Sequence, residues 1–221
     1  MSRQLRCIPA DFVVHVVNRT VARVRIFLDV RDYETFESLL AAGVKRHGTR
    51  LLAFCVMPNH FHLVIWSRTD TDVSRFLAWL TSLHAQKWHF DHETSGTGHV
   101  YQGRFRSSLV EAERHLLNVI AYVERNASRA RLVSDPADWR FGSLWHRLNG
   151  GSRLGSLLHA WPIPMPTDWR AFVSRPESPE TLEAIRRAAQ AQHPLGSEDW
   201  RARVAEALDR QKRARRRPRK S

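Results

Sequence analysis

Two short apolar runs, residues 51–56 and 60–66, flank Met57-Pro58-Asn59, and they constrain the fold more than any other stretch of the chain. Each run is strand length and rich in aliphatic and aromatic side chains, and Pro58 with Asn59 suits a turn, so a hairpin or a sharply bent edge is expected. Along the second run the period of two puts His60 and His62 on one face with Cα atoms ~6.6 Å apart, while Phe61 points the other way into a core. Upstream, residues 12–17 read as a buried strand, and residues 32–47 carry Tyr33, Phe36, Leu40 and Val44 at helical spacing. Downstream, residues 72–90 read as a second helix with Phe76, Trp79, Leu80 and Leu83 inward and Arg75, Ser82, Gln86 and His89 outward. Residues 101–110 read as a strand with alternating Arg104 and Arg106, and residues 111–132 as a third helix. Its acidic first turn (Glu111, Glu113) and basic last turns (Arg125, Arg129, Arg131) suit the helix dipole.

Strand, helix, two strands, helix, strand is the order of a ferredoxin-like α+β sandwich with an antiparallel sheet, here with an extra helix at the end. The chain is 221 residues long and 43% apolar, enough to bury a core, so wholesale disorder is excluded. The main domain is expected over residues 1–149. Gly150-Gly151 and the prolines of residues 161–166 mark residues 150–192 as a linker or irregular extension with a short helix. Residues 193–221 hold an amphipathic helix with Trp200, Val204 and Leu208, which needs a surface to pack on, and a basic tail. Its apolar runs fall far short of the ~20 residues that span a bilayer, and the N-terminus lacks a leader pattern. Cys7 and Cys55 lie in separate segments without CxxC spacing, which argues for a reducing cytoplasm and against a disulfide framework or zinc ribbon.

A formal net charge of +13 points to a polyanionic partner, most simply nucleic acid. Seven basic residues fall between Lys212 and Lys220, among them Arg213, Arg215, Arg216 and Arg217, and read as a solvated, disordered arm that gains order on phosphates. The chemistry-bearing residues lie elsewhere. His60 and His62 can converge on one divalent cation, since imidazole nitrogen is a common transition-metal ligand. On the third helix Tyr122, Arg125, Asn126 and Arg129 fall at i, i+3, i+4 and i+7, a polar stripe beside the apolar face of Leu116, Ile120, Val123 and Ala127. Guanidiniums favour a phenolate and also hold phosphate, so the stripe can activate a nucleophile and position its target. Asn126 offers an oxygen to a metal site begun by the histidines. Arg104, Arg106 and Lys87 are candidates for backbone contacts, and Trp79, Trp88 and Trp145 for base stacking or, more simply, core packing.

Met57-Pro58-Asn59-His60-Phe61-His62-Leu63, Tyr101-Gln102-Gly103-Arg104-Phe105 and Tyr122-Val123-Glu124-Arg125-Asn126 together resemble the HUH single-tyrosine transposases, in particular the REP-associated tyrosine transposases. The resemblance spans residues 12–145. It implies a ferredoxin-like nuclease fold, Mg²⁺- or Mn²⁺-dependent cleavage of single-stranded DNA, and recognition of palindromic repeats folded as hairpins beside a short tetranucleotide. It also implies that His60 and His62 bind the metal, that Tyr122 is the nucleophile, and that Asn126 stands where the family puts a third polar ligand, often Gln. Thr20 stands where many members have Gly. Related transposases include dimers and monomers, so the resemblance leaves both open, and it places the chain in a bacterial cytoplasm at the nucleoid. One rival is an inert hairpin-binding protein on the same fold. A metal-dependent hydrolase built on HxH is disfavoured, because such barrels need ~250 residues and further ligands.

Overall fold

The computed structural model describes residues 8–152 and 154–216, with side chains described to residue 210. Four strands, β1 (Val13–Arg19), β2 (Arg50–Met57), β3 (His60–Trp66) and β4 (Arg106–Val110), form one sheet in the order β2-β3-β1-β4, with each neighbouring pair antiparallel. Helices α1 (Val30–His47) and α2 (Asp72–Asp91) are the crossovers of the two interleaved βαβ units, which makes the core ferredoxin-like, as its segment order predicts. The other face carries α3 (Leu116–Glu124), α4 (Asn126–Arg129), α5 (Ser143–Leu148), α6 (Trp169–Ser174) and α7 (Pro179–Ala191), and α8 (Glu198–Arg216) follows. Among the described residues no helix is long and apolar enough to cross a membrane.

The sheet therefore has two cores. Val14, Val16, Leu51, Phe54, Phe61, Leu63 and Ile65 pack under α1 and α2 with Phe36, Leu40, Phe76 and Leu80. Val13, Leu52, Ala53, Cys55 and Val64 pack under α3 with Leu116, Ile120 and Val123. Helix α1 begins two residues before the expected start because Asp29 caps it: its carboxylate accepts from the Arg31 and Asp32 amides at 2.8 and 3.2 Å, and Asp32 reciprocates. Gly43 lets the crossover helices touch, since a Cβ there would lie 2.8 Å from the Phe76 and Trp79 rings.

The structure departs from the sequence reading in several elements. The inward face of α2 is Val73, Phe76, Leu77, Leu80 and His84; Leu83 is only half-buried, and His84 takes an inner place by bonding the Tyr101 hydroxyl at 2.8 Å. The strand expected over residues 101–110 starts at Arg106, because residues 101–105 form a loop pinned by the Thr20–Tyr101 bridge and the Gln102 N–H to Arg19 carbonyl bond of 2.9 Å. The long third helix starts at Leu116 and breaks at Arg125. Glu111 serves the entry to α8 instead, accepting from the Ser197 amide and hydroxyl at 2.8 and 2.9 Å.

Residues 150–192, expected as a linker or irregular extension, pack closely: Trp169, Val173 and Ile185 are buried in the second core. On α8, Val204 is fully buried and Trp200 lies 6.1 Å from Phe12, so its apolar face packs on this chain's own body. The backbone of α8 continues through Lys212, Arg213, Arg215 and Arg216, where a disordered arm was expected; Arg217, Arg219, Lys220 and Cys7 lie outside the described residues.

Phe61 ties this packing to the histidines beside it. Its ring is fully buried, 4.9 Å from Phe36 and 5.9 Å from Tyr101. Phe61→Ala is expected to lower stability in urea unfolding by about 3–5 kcal/mol, and Phe61→Leu by much less.

Candidate active site

At the β4 side of the sheet, where β1 and β3 meet α3, a cleft of about 980 Å³ opens. It gathers His60, His62, Tyr122, Asn126, Arg104, Arg106 and Arg129 from the sequence-predicted set, and adds Arg19, Arg23 and Arg186. Among the described residues six arginines and no carboxylate line it, so its field favours a polyanion.

The two histidines are oriented by partners behind them. The Asn59 amide nitrogen donates to the Arg23 carbonyl at 2.9 Å, which turns its oxygen to His60 Nδ1 at 2.7 Å. That oxygen can only accept, so His60 carries its proton on Nδ1 and keeps a lone pair on Nε2. His62 Nδ1 is paired with Nε2 of His15 at 2.9 Å, their rings stacked at 5.2 Å. Burial is the main cause that lowers all three pKa values, His15 and His60 to about 4, with nearby Arg129 and other cations adding to it. All three are therefore neutral imidazoles at pH 7, the form that binds metal. His15 escaped the sequence reading because a lone histidine in an apolar strand looks like a core residue.

Tyr122 sits edge-on to His62 and His15 at 5.8 and 5.9 Å and is 8% exposed. The guanidinium of Arg129 lies 4.1 Å over its ring and donates to the Tyr122 carbonyl at 3.0 Å, beside the helix break. Burial lowers the pKa of Arg19 and Arg129, and in both the Tyr122 hydroxyl pulls the other way. Asn126 lines the cleft, and its amide nitrogen is buried without a hydrogen-bond partner.

Arg125 is not in the cleft. It turns to the opposite side of the helix, donates to the Val173 and Phe172 carbonyls at 2.5 and 3.2 Å, and pairs with Glu177 at 2.5 Å. It anchors α6 to α3, and the arginines that stand beside Tyr122 in the cleft are Arg129 and Arg19 instead. Lys87 pairs with Asp91, the Trp88 indole donates to the Ile26 carbonyl at 2.8 Å, and Trp79 and Trp145 are half-buried; none of the four lines the cleft.

The family model described as "Transposase IS200 like" matches residues 10–126, from the start of β1 through Asn126. The chain belongs to the IS200-like transposase family. A solved REP-associated tyrosine transposase bound to a REP hairpin shares the fold, with a TM-score of 0.53 and 16% identity over 76% of this chain and 96% of that one. A structure from Deinococcus radiodurans R1, described as a candidate transposase, is 19% identical over 57% of this chain and 97% of its own, with a TM-score of 0.40. No curated protein matches. The transposase-family match takes in His60, His62, Tyr122 and Asn126 and stops before Arg129, Glu177 and Arg186.

Glu177 is where the transposase core meets its extension. Its carboxylate is buried and pairs with Arg125 at 2.5 Å and Arg129 at 3.4 Å. Glu177→Ala leaves Arg125 buried and unpaired and is expected to cost about 3–5 kcal/mol in chemical denaturation; Arg125→Met with Glu177→Leu should recover most of that loss.

Proposed function

We propose that this protein is a metal-dependent transposase of the REP-associated kind, which cuts and rejoins single-stranded DNA beside hairpin repeats through a tyrosine nucleophile. The observation that carries this reading is the meeting of Tyr122, two outward-facing neutral histidines and six arginines in one cleft of a transposase-family fold. The solved fold-mate bound to a REP hairpin supports hairpin DNA as the partner.

The Tyr122 phenol attacks the scissile phosphorus. As the Tyr122 Oη–P bond forms, the bond from phosphorus to the 3′-oxygen breaks, leaving a 5′-phosphotyrosine and a 3′-OH that takes up the phenolic proton. Attack by a 3′-OH of another strand reverses the step and completes a transfer, with the phosphodiester energy kept in the covalent link. A phenol of pKa ~10 is a weak nucleophile at neutral pH, so cationic surroundings matter. Arg129 over the ring and Arg19 near the hydroxyl favour the developing phenolate, and Arg104 and Arg106 hold the flanking backbone.

The donor set fits a divalent cation such as Mg²⁺ or Mn²⁺. His60 presents an unprotonated Nε2, His62 does the same when its Nδ1 donates to His15, and Asn126, which lines the same cleft, brings an amide oxygen as the third donor. Among the described residues no group of three or more His, Cys, Asp or Glu could hold a metal ion, so this reading rests on the two histidines and Asn126. His60, His62 and Asn126 would hold the cation, which would supply Lewis acidity at the scissile phosphate.

The decisive test incubates labelled hairpin DNA bearing single-stranded flanks with the protein and Mn²⁺ or Mg²⁺, followed by a denaturing gel. A covalent protein–DNA adduct is expected that needs metal and disappears in Tyr122→Phe and in His60→Ala with His62→Ala. Tight binding without an adduct, unchanged in Tyr122→Phe, would instead make this an inert hairpin-binding protein. Separately, His15→Leu removes the partner that orients His62 and should weaken Mn²⁺ binding by calorimetry ~10–100-fold.

A further inference from the structure

The family match ends at Asn126, but the cleft continues onto α7, which supplies Arg186, Ala189 and Gln190 to its wall. This wall is firmly held. The Ser178 hydroxyl accepts from the Thr181 amide at 3.2 Å to cap the helix, Ile185 and Ala188 are buried, and Leu182 packs beside them. Just upstream, Glu177 locks the segment to Arg125 and Arg129 on α4 and its boundary with α3. The inner face of α7 is thus fixed against the tyrosine helix, and its next face looks into the cleft.

Arg186 and Arg187 are neighbours with different situations. Arg187 is paired with Glu183 on the outer surface. Arg186 is exposed and has no hydrogen bond or ion pair with the described residues. It stands close enough to Arg129 to oppose that residue's charge, adding to the effect of burial. Among the described residues, a guanidinium with no ion-pair partner that projects into a cleft holding five others and no carboxylate raises the free energy of the site, and an anion relieves it. The volume of about 980 Å³ has room for a few nucleotides of one strand.

We propose that α7 is the second wall of the nucleic-acid site, with Arg186 holding a backbone phosphate of the single strand that passes Tyr122 and Gln190 hydrogen-bonding next to it. This rests on the single-stranded DNA reading above and adds a contact contributed from outside the family core. The strand is gripped between Arg19 and Arg106 of the sheet with Arg104 of the loop before β4, and a helix on the opposite side. Arg186 is a binding residue, and it takes no part in the bond changes at phosphorus.

The test measures fluorescence anisotropy of two labelled probes, a hairpin with single-stranded extensions on both sides and the same hairpin without them. Salt is titrated against wild-type full-length protein and against Arg186→Ala, Arg186→Lys and Arg187→Ala, each checked for an unchanged thermal midpoint. Arg186→Ala should weaken binding of the extended probe about 5–10-fold and reduce the slope of log K against log salt by about one. Arg186→Lys should keep the slope, Arg187→Ala should match wild type, and the bare hairpin should bind all four proteins alike. If wild type binds the extended probe and Arg186→Ala binds it equally well, the α7 wall is overturned while the functional reading stands. Equal losses in Arg186→Ala and Arg187→Ala, or on both probes, would mean a general charge effect and overturn it too. Failure of wild type to bind either probe would overturn the single-stranded DNA reading itself.

Discussion

The alternation of β3 between two cores is the constraint on which the site depends. Phe61, Leu63 and Ile65 go to the α1/α2 side, and His62 and Val64 to the α3 side. A slip of one residue would drive two imidazoles under the crossover helices and expose a phenylalanine in an arginine-lined cleft, so the register is held by apolar burial. The central pairing with β1 sets the rest: Val17 is opposite His62 and His15 opposite Val64, which makes His15 and His62 diagonal neighbours on one face. Their hydrogen bond is a product of the strand register, and so is the direction in which His62 presents its free edge.

Charge is the second organising force, and the fold sorts it by depth. Arg125 and Glu177 are sealed between α3 and α6, where each would be costly without the other. Glu124, one residue earlier and fully buried, accepts from Ser143, Trp169 and Arg147 at 2.5, 2.7 and 3.4 Å, and burial pushes its carboxyl pKa up against the pull of those donors. Acidic groups are thus spent on joining the C-terminal segments to the transposase core. Among the described residues the charged side chains of the cleft are arginines, and its cationic character follows from where the carboxylates were placed.

Much of this was legible in the sequence. The βαββαβ order and the shared face of His60 and His62 follow from apolar spacing and strand period, which short-range patterns record well. Tyr122, Asn126 and Arg129 were found on one stripe because a helix repeats at 3.6 residues. Arg125 lies at the edge of that stripe, and its direction was decided by Glu177 and the carbonyls of α6, which are distant in sequence. The same limit hid His15, the loop at residues 101–105 and the cleft wall on α7. Each depends on a partner from another element, and no local pattern encodes that partner.

The break in the tyrosine helix shows how local irregularity becomes useful. An unbroken helix would have its carbonyls paired along its own axis and Arg129 free to swing in solvent. Here the ladder is interrupted at Arg125, the Tyr122 carbonyl accepts from Arg129, and Glu177 takes the guanidinium's other side. Arg129 is therefore held by two polar contacts, with its charge over the phenol ring. In the proposed reaction a cation fixed in advance needs no ordering when negative charge develops on the oxygen, and such preorganised charge is worth far more than the same group waving in water. The segment that fixes it comes from beyond the matched family region, so the extension shapes the electrostatics of the tyrosine as well as the wall facing it.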